Sequence, residues 1–216
     1  MHRFRRSGSF VRFFVEGEPA DVSDLSLLKA LERERFKPIE GSATDDESVG
    51  WVTRGDLSGA RFEPEDVIAE HFLVFALRID RKKVPATLLR IHASADLRAA
   101  ASGGKPLGRA QKKEILEETK RKLMARALPS VSITDCIWNP RRGVLYVFAT
   151  GGATLERVAR HFRESFRRSL APATPSIVAE RLKLPDPLRK VMSHISPADL
   201  VGSSRAASAR AQEVEA

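Results

Sequence analysis

The stretch His71-Phe72-Leu73-Val74-Phe75-Ala76-Leu77-Arg78-Ile79-Asp80-Arg81 decides the fold class. Side chains alternate across a strand, so His71, Leu73, Phe75, Leu77 and Ile79 share one face. Phe72, Val74, Ala76 and Arg78 share the other. Both faces are largely apolar, which places this strand inside a sheet.

Reading toward the C-terminus, Pro85–Ala101 has helical character, with Leu88, Leu89, Ile91 and His92 among its members. Ser102–Gly108 is a glycine-rich link. Arg109–Leu128 is a long helix stopped by Pro129. Val131–Trp138 and Gly143–Thr150 form a hairpin across Asn139-Pro140-Arg141-Arg142. Gly151 and Gly152 open a helix over Thr154–Leu170. At 100° per residue, Leu155, Val158, Ala159, Phe162, Phe166 and Leu170 fall in one stripe that packs on the sheet.

Reading toward the N-terminus, Phe62–Ala69 holds a helical turn opened by Pro64. Gly55–Gly59 is a turn, Gly50–Val52 a short strand, and Gly41–Ser48 a polar loop. Asp21 or Ser23 caps a helix running to Phe36, with Leu25, Leu28 and Leu31 on its apolar stripe. Ser9–Val15 is a strand. The order β-α-β-β-α-α-β-β-α predicts an α+β fold, a mostly antiparallel sheet packed with helices. The domain spans residues 1–171, with a helical insertion at 84–128. A short helical extension follows over 172–201, and a disordered tail over 202–216.

The chain has 216 residues, a formal charge of +9 and 42% hydrophobic residues, enough for a core. No run approaches the roughly 18 consecutive apolar residues of a membrane span. Arg12, Glu16 and Glu18 break the one N-terminal run that imitates a secretory leader. The expectation is a cytoplasmic protein. Cys136 is the single cysteine, which excludes an internal disulfide framework and a CxxC zinc site.

The charge is unevenly placed. Residues 21–72 carry six basic and thirteen acidic groups, net −7, whereas residues 101–170 carry fifteen and six, net +9. A basic module of this kind points to a polyanion. The alternative is that the two segments neutralise each other in the fold. On the last long helix, Arg157, Arg160, His161, Arg167 and Arg168 lie opposite the apolar stripe, with Glu164 among them. Like charges repel on an isolated helix, and a polyphosphate removes that cost and releases counterions. A plain solvated face is the competing reading. On the earlier basic helix, Arg109, Lys112, Lys113 and Lys120 are candidate phosphate contacts. Arg121 and Lys122 are offset by Glu117 and Glu118 at i,i+4 spacing. Ile115, Leu116, Thr119, Leu123 and Ala127 make its buried face. Arg141 and Arg142 at the hairpin tip complete the candidate set.

Catalytic signatures are wanting. There is no P-loop, no GxSxG elbow and no HExxH spacing. Asp45, Asp46 and Glu47 are the one acidic run a metal-dependent nuclease could use, and a solvated acidic turn is the simpler reading. Cys136 reads as a buried thiol. Trp51 and Trp138 read as core anchors. No cofactor is expected.

Several stretches taken in order resemble the RdgC family of bacterial recombination-associated DNA-binding proteins. They are Gly50-Trp51-Val52; the strand around Phe72–Leu77; Lys105-Pro106-Leu107-Gly108-Arg109 with Lys112, Lys113 and Glu114; Arg126-Ala127-Leu128-Pro129; and Trp138 followed by Arg142-Gly143-Val144-Leu145-Tyr146-Val147-Phe148. The resemblance runs from Phe10 to Phe166. It implies a non-enzymatic, nucleoid-associated protein that binds double-stranded DNA with little sequence preference, forms a ring-shaped homodimer, and modulates the RecA recombinase by occupying DNA. An exonuclease label is also attached to the family. Typical members continue into a further domain that helps close the ring, whereas the compact unit here is expected to end near Leu170. Two further functions stay open: a module acting on a recombination or replication protein through the acidic 21–72 segment, and a metal-dependent exonuclease.

Overall fold

A computed structural model describes residues 8–102, 107–182 and 184–193. It contains β1 (Val11–Val15), α1 (Leu25–Arg33), β2 (Glu47–Val52), α2 (Pro64–Val67), β3 (Ile68–Ala69), β4 (Phe72–Arg81), α3 (Ala86–Ala101), α4 (Arg109–Arg126), β5 (Ser130–Asn139), β6 (Val144–Val147), α5 (Gly152–Phe166), β7 (Leu170–Pro172), α6 (Pro175–Arg181) and α7 (Asp186–Ser193). The chain divides after Pro172. The first unit holds the sheet and the second, from Ala173, holds α6 and α7. Lys105 and the 202–216 tail lie outside the described residues.

The sheet runs β2-β4-β5-β6-β1-β7, with β3 beside β4, and every pair is antiparallel. The α+β expectation holds, and β4 lies inside the sheet. Leu73, Phe75 and Leu77 stand opposite Trp138, Cys136 and Thr134 of β5. With Leu145, Val147, Phe13 and Val15 they form one apolar face, buried under Leu27, Leu28 and Leu31 of α1 and Val158 and Phe162 of α5. Rings interlock there: Trp138 meets Phe162 edge-on at 5.0 Å, and Trp51 meets Phe75 at 4.9 Å. Cys136 is fully buried, and desolvation pushes its thiol pKa far up, so it is inert. On the opposite face, Phe10, Val131 and Ile133 are exposed, and Phe10 packs edge-on against Tyr146 at 5.4 Å.

One crossing holds the β2 edge. Glu34 O accepts from Trp51 N (3.0 Å), and Phe36 N donates to Trp51 O (2.9 Å). The strand beneath can be crossed so closely only at Gly50. A Cβ there would stand 2.3 Å from Phe36 Cα and 2.4 Å from Phe36 N. Phe36 then lies over Val52 and Ala76, and the Arg78 guanidinium covers its ring at 4.1 Å. Arg78 also grips the fully buried Asp80 through Nε (2.8 Å) and Nη2 (2.6 Å).

Four local expectations are corrected. Asp24, not Asp21 or Ser23, caps α1, its Oδ1 accepting from Ser26 N at 2.9 Å. That cap turns Leu27 inward and leaves Leu25 62% exposed. Helix α5 does not reach Leu170. Arg167 adopts a left-handed conformation (φ 56°) and stops it, and Leu170–Pro172 forms edge strand β7 beside β1. His161 is not on the solvated face. Its ring packs on Trp51 at 4.8 Å, and its Nε2 lies 3.3 Å from Glu34 O. On α4 the buried residues are Thr119 and Met124, while Leu116 is exposed. Nearby, Trp51 Nε1 donates to Ser165 Oγ (2.7 Å), which donates in turn to His161 O (2.7 Å).

Two outcomes follow for stability. Gly50→Ala is expected to cost about 3 kcal/mol through backbone overlap. Gly152→Ala, where a Cβ meets nothing within 4 Å, is expected to gain about 0.4–1 kcal/mol through the unfolded chain. Urea midpoints check both. Burial lowers the His161 pKa below its ordinary 6.5, so the unfolded chain takes up the proton first as pH falls. The stability this group contributes is full above that value and is lost as pH drops through it. Thermal melts between about pH 7.5 and about pH 5.5 should show a smaller loss in His161→Gln than in the parent.

Candidate nucleic-acid interface

Helices α3 and α4 form a hairpin inserted between the C-terminal end of β4 and the N-terminal end of β5, which pair at Arg81 and Ser130. The helices pack on each other with little burial, through Ala93, Thr119 and Met124. Thr119 Oγ1 ties them by donating to Asp96 Oδ2 at 2.6 Å. Most of the surface of α4 is therefore solvated. It carries seven basic residues and three acidic ones.

The ends of α4 differ electrically. Its first turn contains no carboxylate. Instead Arg109, Lys112 and Lys113 stand exposed near the N-terminus, where the helix dipole already presents positive charge. Gly108 offers no side-chain acceptor as N-cap, and Gln111 folds back to accept from Gly108 N at 3.0 Å. The side chains of Arg109, Lys112, Lys113 and Lys120 have no ion-pair or hydrogen-bond partner among the described residues. Farther along, Glu118 takes both Arg121 and Lys122. The expected Glu117–Arg121 pair does not form.

The cations on and just after α5 are engaged only in part. Arg157 Nη1 donates to Glu47 Oε1 at 2.7 Å. Arg168 donates to Glu18 O, and its guanidinium lies 5.8 Å from the Trp138 ring. Arg167 is exposed at the left-handed stop. Arg160 is exposed without a partner among the described residues, as is Arg163, which sequence reasoning passed over. At the β5–β6 tip, Arg141 Nη2 donates to Asp21 Oδ2 at 2.5 Å. Hydrogen bonds from Ser23 and Arg141 hold the Asp21 carboxyl well below the usual carboxylate range. Arg142 is exposed, its backbone N donating to Asn139 Oδ1 at 2.9 Å.

The ten candidates therefore do not form one patch. Arg109, Lys112, Lys113 and Lys120 belong to the α3–α4 hairpin. Arg141, Arg142, Arg167 and Arg168 gather at the opposite end of β5, roughly 33 Å away for a ten-residue strand. Arg157 and Arg160 lie between, on α5. The acidic 21–72 segment neutralises part of the basic one through Asp21–Arg141 and Glu47–Arg157.

Sequence reasoning missed the run Arg81-Lys82-Lys83, which closes β4 at the hairpin root. Strand alternation separates its members. Lys82 is buried, its Nζ donating to Ser42 O at 2.9 Å, while Arg81 and Lys83 are exposed. Arg81 Nε donates to Glu47 Oε2 at 2.6 Å. The acidic run does not converge. Asp45 accepts from Ser42 Oγ at 2.8 Å, and Glu47 is held by two arginines. Among the described residues, no group of three or more His, Cys, Asp or Glu is placed to hold a metal ion. None of their helices is long and apolar enough to cross a membrane.

The recombination-associated protein RdgC of Neisseria meningitidis serogroup B is 28% identical over 131 residues, covering 60% of this chain and 44% of the relative. That of Neisseria gonorrhoeae matches to the same extent. The chain thus spans less than half the length of the curated relatives it matches. The family model described as "Putative exonuclease, RdgC" matches residues 11–192, from β1 through α7. The extent of that match places this chain in the RdgC family.

Proposed function

We propose that this chain binds double-stranded DNA without sequence preference, as a non-enzymatic protein of recombination. One observation carries the reading: Arg109, Lys112 and Lys113 crowd the positive end of α4 with no carboxylate in its first turn. Helix stability gains nothing from that placement. A phosphate backbone relieves it and releases counterions. Exposed Lys120 extends the cationic surface along the same helix, and exposed Arg160 and Arg142 offer separate contacts elsewhere on the fold. Contacts of this kind position a protein on the duplex and read no bases.

The relatives' name ties them to recombination, and we extend that setting to this chain. Occupying DNA would limit access by a RecA-type recombinase, and a homodimer would let two cationic hairpins grip one duplex. Such a protein belongs in the cytoplasm, on the nucleoid. The word exonuclease in the family description gains no support from the acidic run, where Asp45 accepts from a hydroxyl and Glu47 from two guanidinium groups.

The test is binding to a random 40-mer duplex across a salt series. Affinity should fall steeply between about 50 and about 200 mM salt. The triple variant Arg109→Ala, Lys112→Ala, Lys113→Ala should weaken all sequences alike and flatten the salt slope by about 2–3. An Arg141→Ala, Arg142→Ala variant should change the slope less, because Arg141 is already paired. Parent-like binding by the triple variant would move the site off the hairpin. Digestion of end-labelled duplex stimulated by Mg²⁺ would replace the reading with a nuclease.

A further inference from the structure

At the root of the hairpin lies a cleft of about 550 Å³, lined by Asp46, Glu47, Arg81, Lys82, Lys83 and Ser130. A second recess of about 180 Å³ shares Arg81 and Ser130 with it and adds Thr154 and Arg157 from α5. Four basic residues face two acidic ones across the pair, a formal excess of +2. The two guanidiniums converge on a single carboxylate. Arg81 Nε holds Glu47 Oε2 at 2.6 Å, and Arg157 Nη1 holds Glu47 Oε1 at 2.7 Å.

We infer that this cleft is an oxyanion site for a DNA phosphate, and that Glu47 occupies it as an internal competitor. The inference rests on the DNA-binding reading above. Carboxylate and phosphate present the same pair of acceptors to an arginine fork, so a site built for one accepts the other. Each guanidinium gives Glu47 one N–H and keeps others free. Ser130 lines both recesses, its Oγ donating to Arg81 O at 3.2 Å, and Thr154 lines the second at the first turn of α5. The carboxylate can also leave cheaply. Glu47 begins the edge strand β2, its side chain is 34% exposed and that of Arg81 52% exposed. Ion pairs in such solvated positions contribute little to stability.

The consequence is autoinhibition. Entry of a phosphate displaces Glu47 and frees both arginines for it. Duplex affinity in the parent is therefore a net quantity, lowered by the internal carboxylate.

The test compares the parent, Glu47→Gln, Arg157→Ala and the double variant in duplex binding. Glu47→Gln keeps the shape and removes the charge. It should tighten binding about 3–10-fold at low salt and steepen the salt slope by about 1. The gain should vanish in the double variant. An unchanged affinity in Glu47→Gln, or a gain that survives Arg157→Ala, overturns the proposal. Glu47→Ala serves as second variant, with thermal melts verifying the fold. A gain equal on closed circular and linear duplex assigns the site to an internal phosphodiester. A gain confined to 5′-phosphorylated linear duplex assigns it to an end phosphate. Pyrophosphate titration, followed by the arginine Nε–H resonances, is independent of DNA. Those of Arg81 and Arg157 should move at lower concentration in Glu47→Gln, and immobility overturns the site. Should the parent bind no duplex, the DNA reading falls and the titration alone decides the cleft.

Discussion

The pairing of β4 with β5 carries the rest of the structure. It runs from Leu73 opposite Trp138 to Arg81 opposite Ser130. One end sets Trp138 against Phe162 of α5, and the middle holds Leu77, with which β2 aligns Trp51. The other end fixes where the α3–α4 hairpin leaves and rejoins the sheet. A one-residue slip would turn Leu73, Phe75 and Leu77 away from α1 and α5 and expose them to solvent. It would also carry the hairpin root away from Arg157. Core and charged surface thus depend on one register.

The electrostatics divide along the same axis. Where β5 ends, two of the four cations are tied to the fold, Arg141 by Asp21 and Arg168 by Glu18 O and the Trp138 ring, while Arg142 and Arg167 stay exposed. Where β5 begins, Arg81 and Arg157 share one carboxylate, and Arg109, Lys112, Lys113 and Lys120 lie beyond it on α4. A net charge of +9 is therefore a poor measure of what a polyanion can reach.

Much of the fold was legible because periodicity is a local signal. The doubly apolar strand, the two basic helices, the β5–β6 turn and the sheet-facing stripe of α5 each announce themselves within a few residues. What failed was decided by partners distant in sequence. Strand β7 is three residues long and lacks an alternating pattern, so it exists only because β1 offers an edge. Periodicity puts His161 on the polar side of its helix, and the Trp51 ring covers it there. The site followed the same rule. Residue types were legible, but Glu47 and Arg157 are 110 positions apart and Asp21 and Arg141 are 120. No spacing rule joins them. The run Arg81-Lys82-Lys83 was in plain view, and strand alternation would have separated its buried member from its exposed ones.

The hairpin has a mechanical side. Helix α4 has 18 residues, which gives an arm of about 27 Å, and its N-terminus is the end remote from the sheet. The arm is held by its partner helix and by its root, where Lys82 Nζ approaches Met124 O at 3.4 Å. A tilt of about 10° at that pivot moves the tip by about 5 Å, more than the difference between a well-placed and a missed ionic contact. Arg109, Lys112 and Lys113 can thus follow an uneven surface while the paired strands below keep their register.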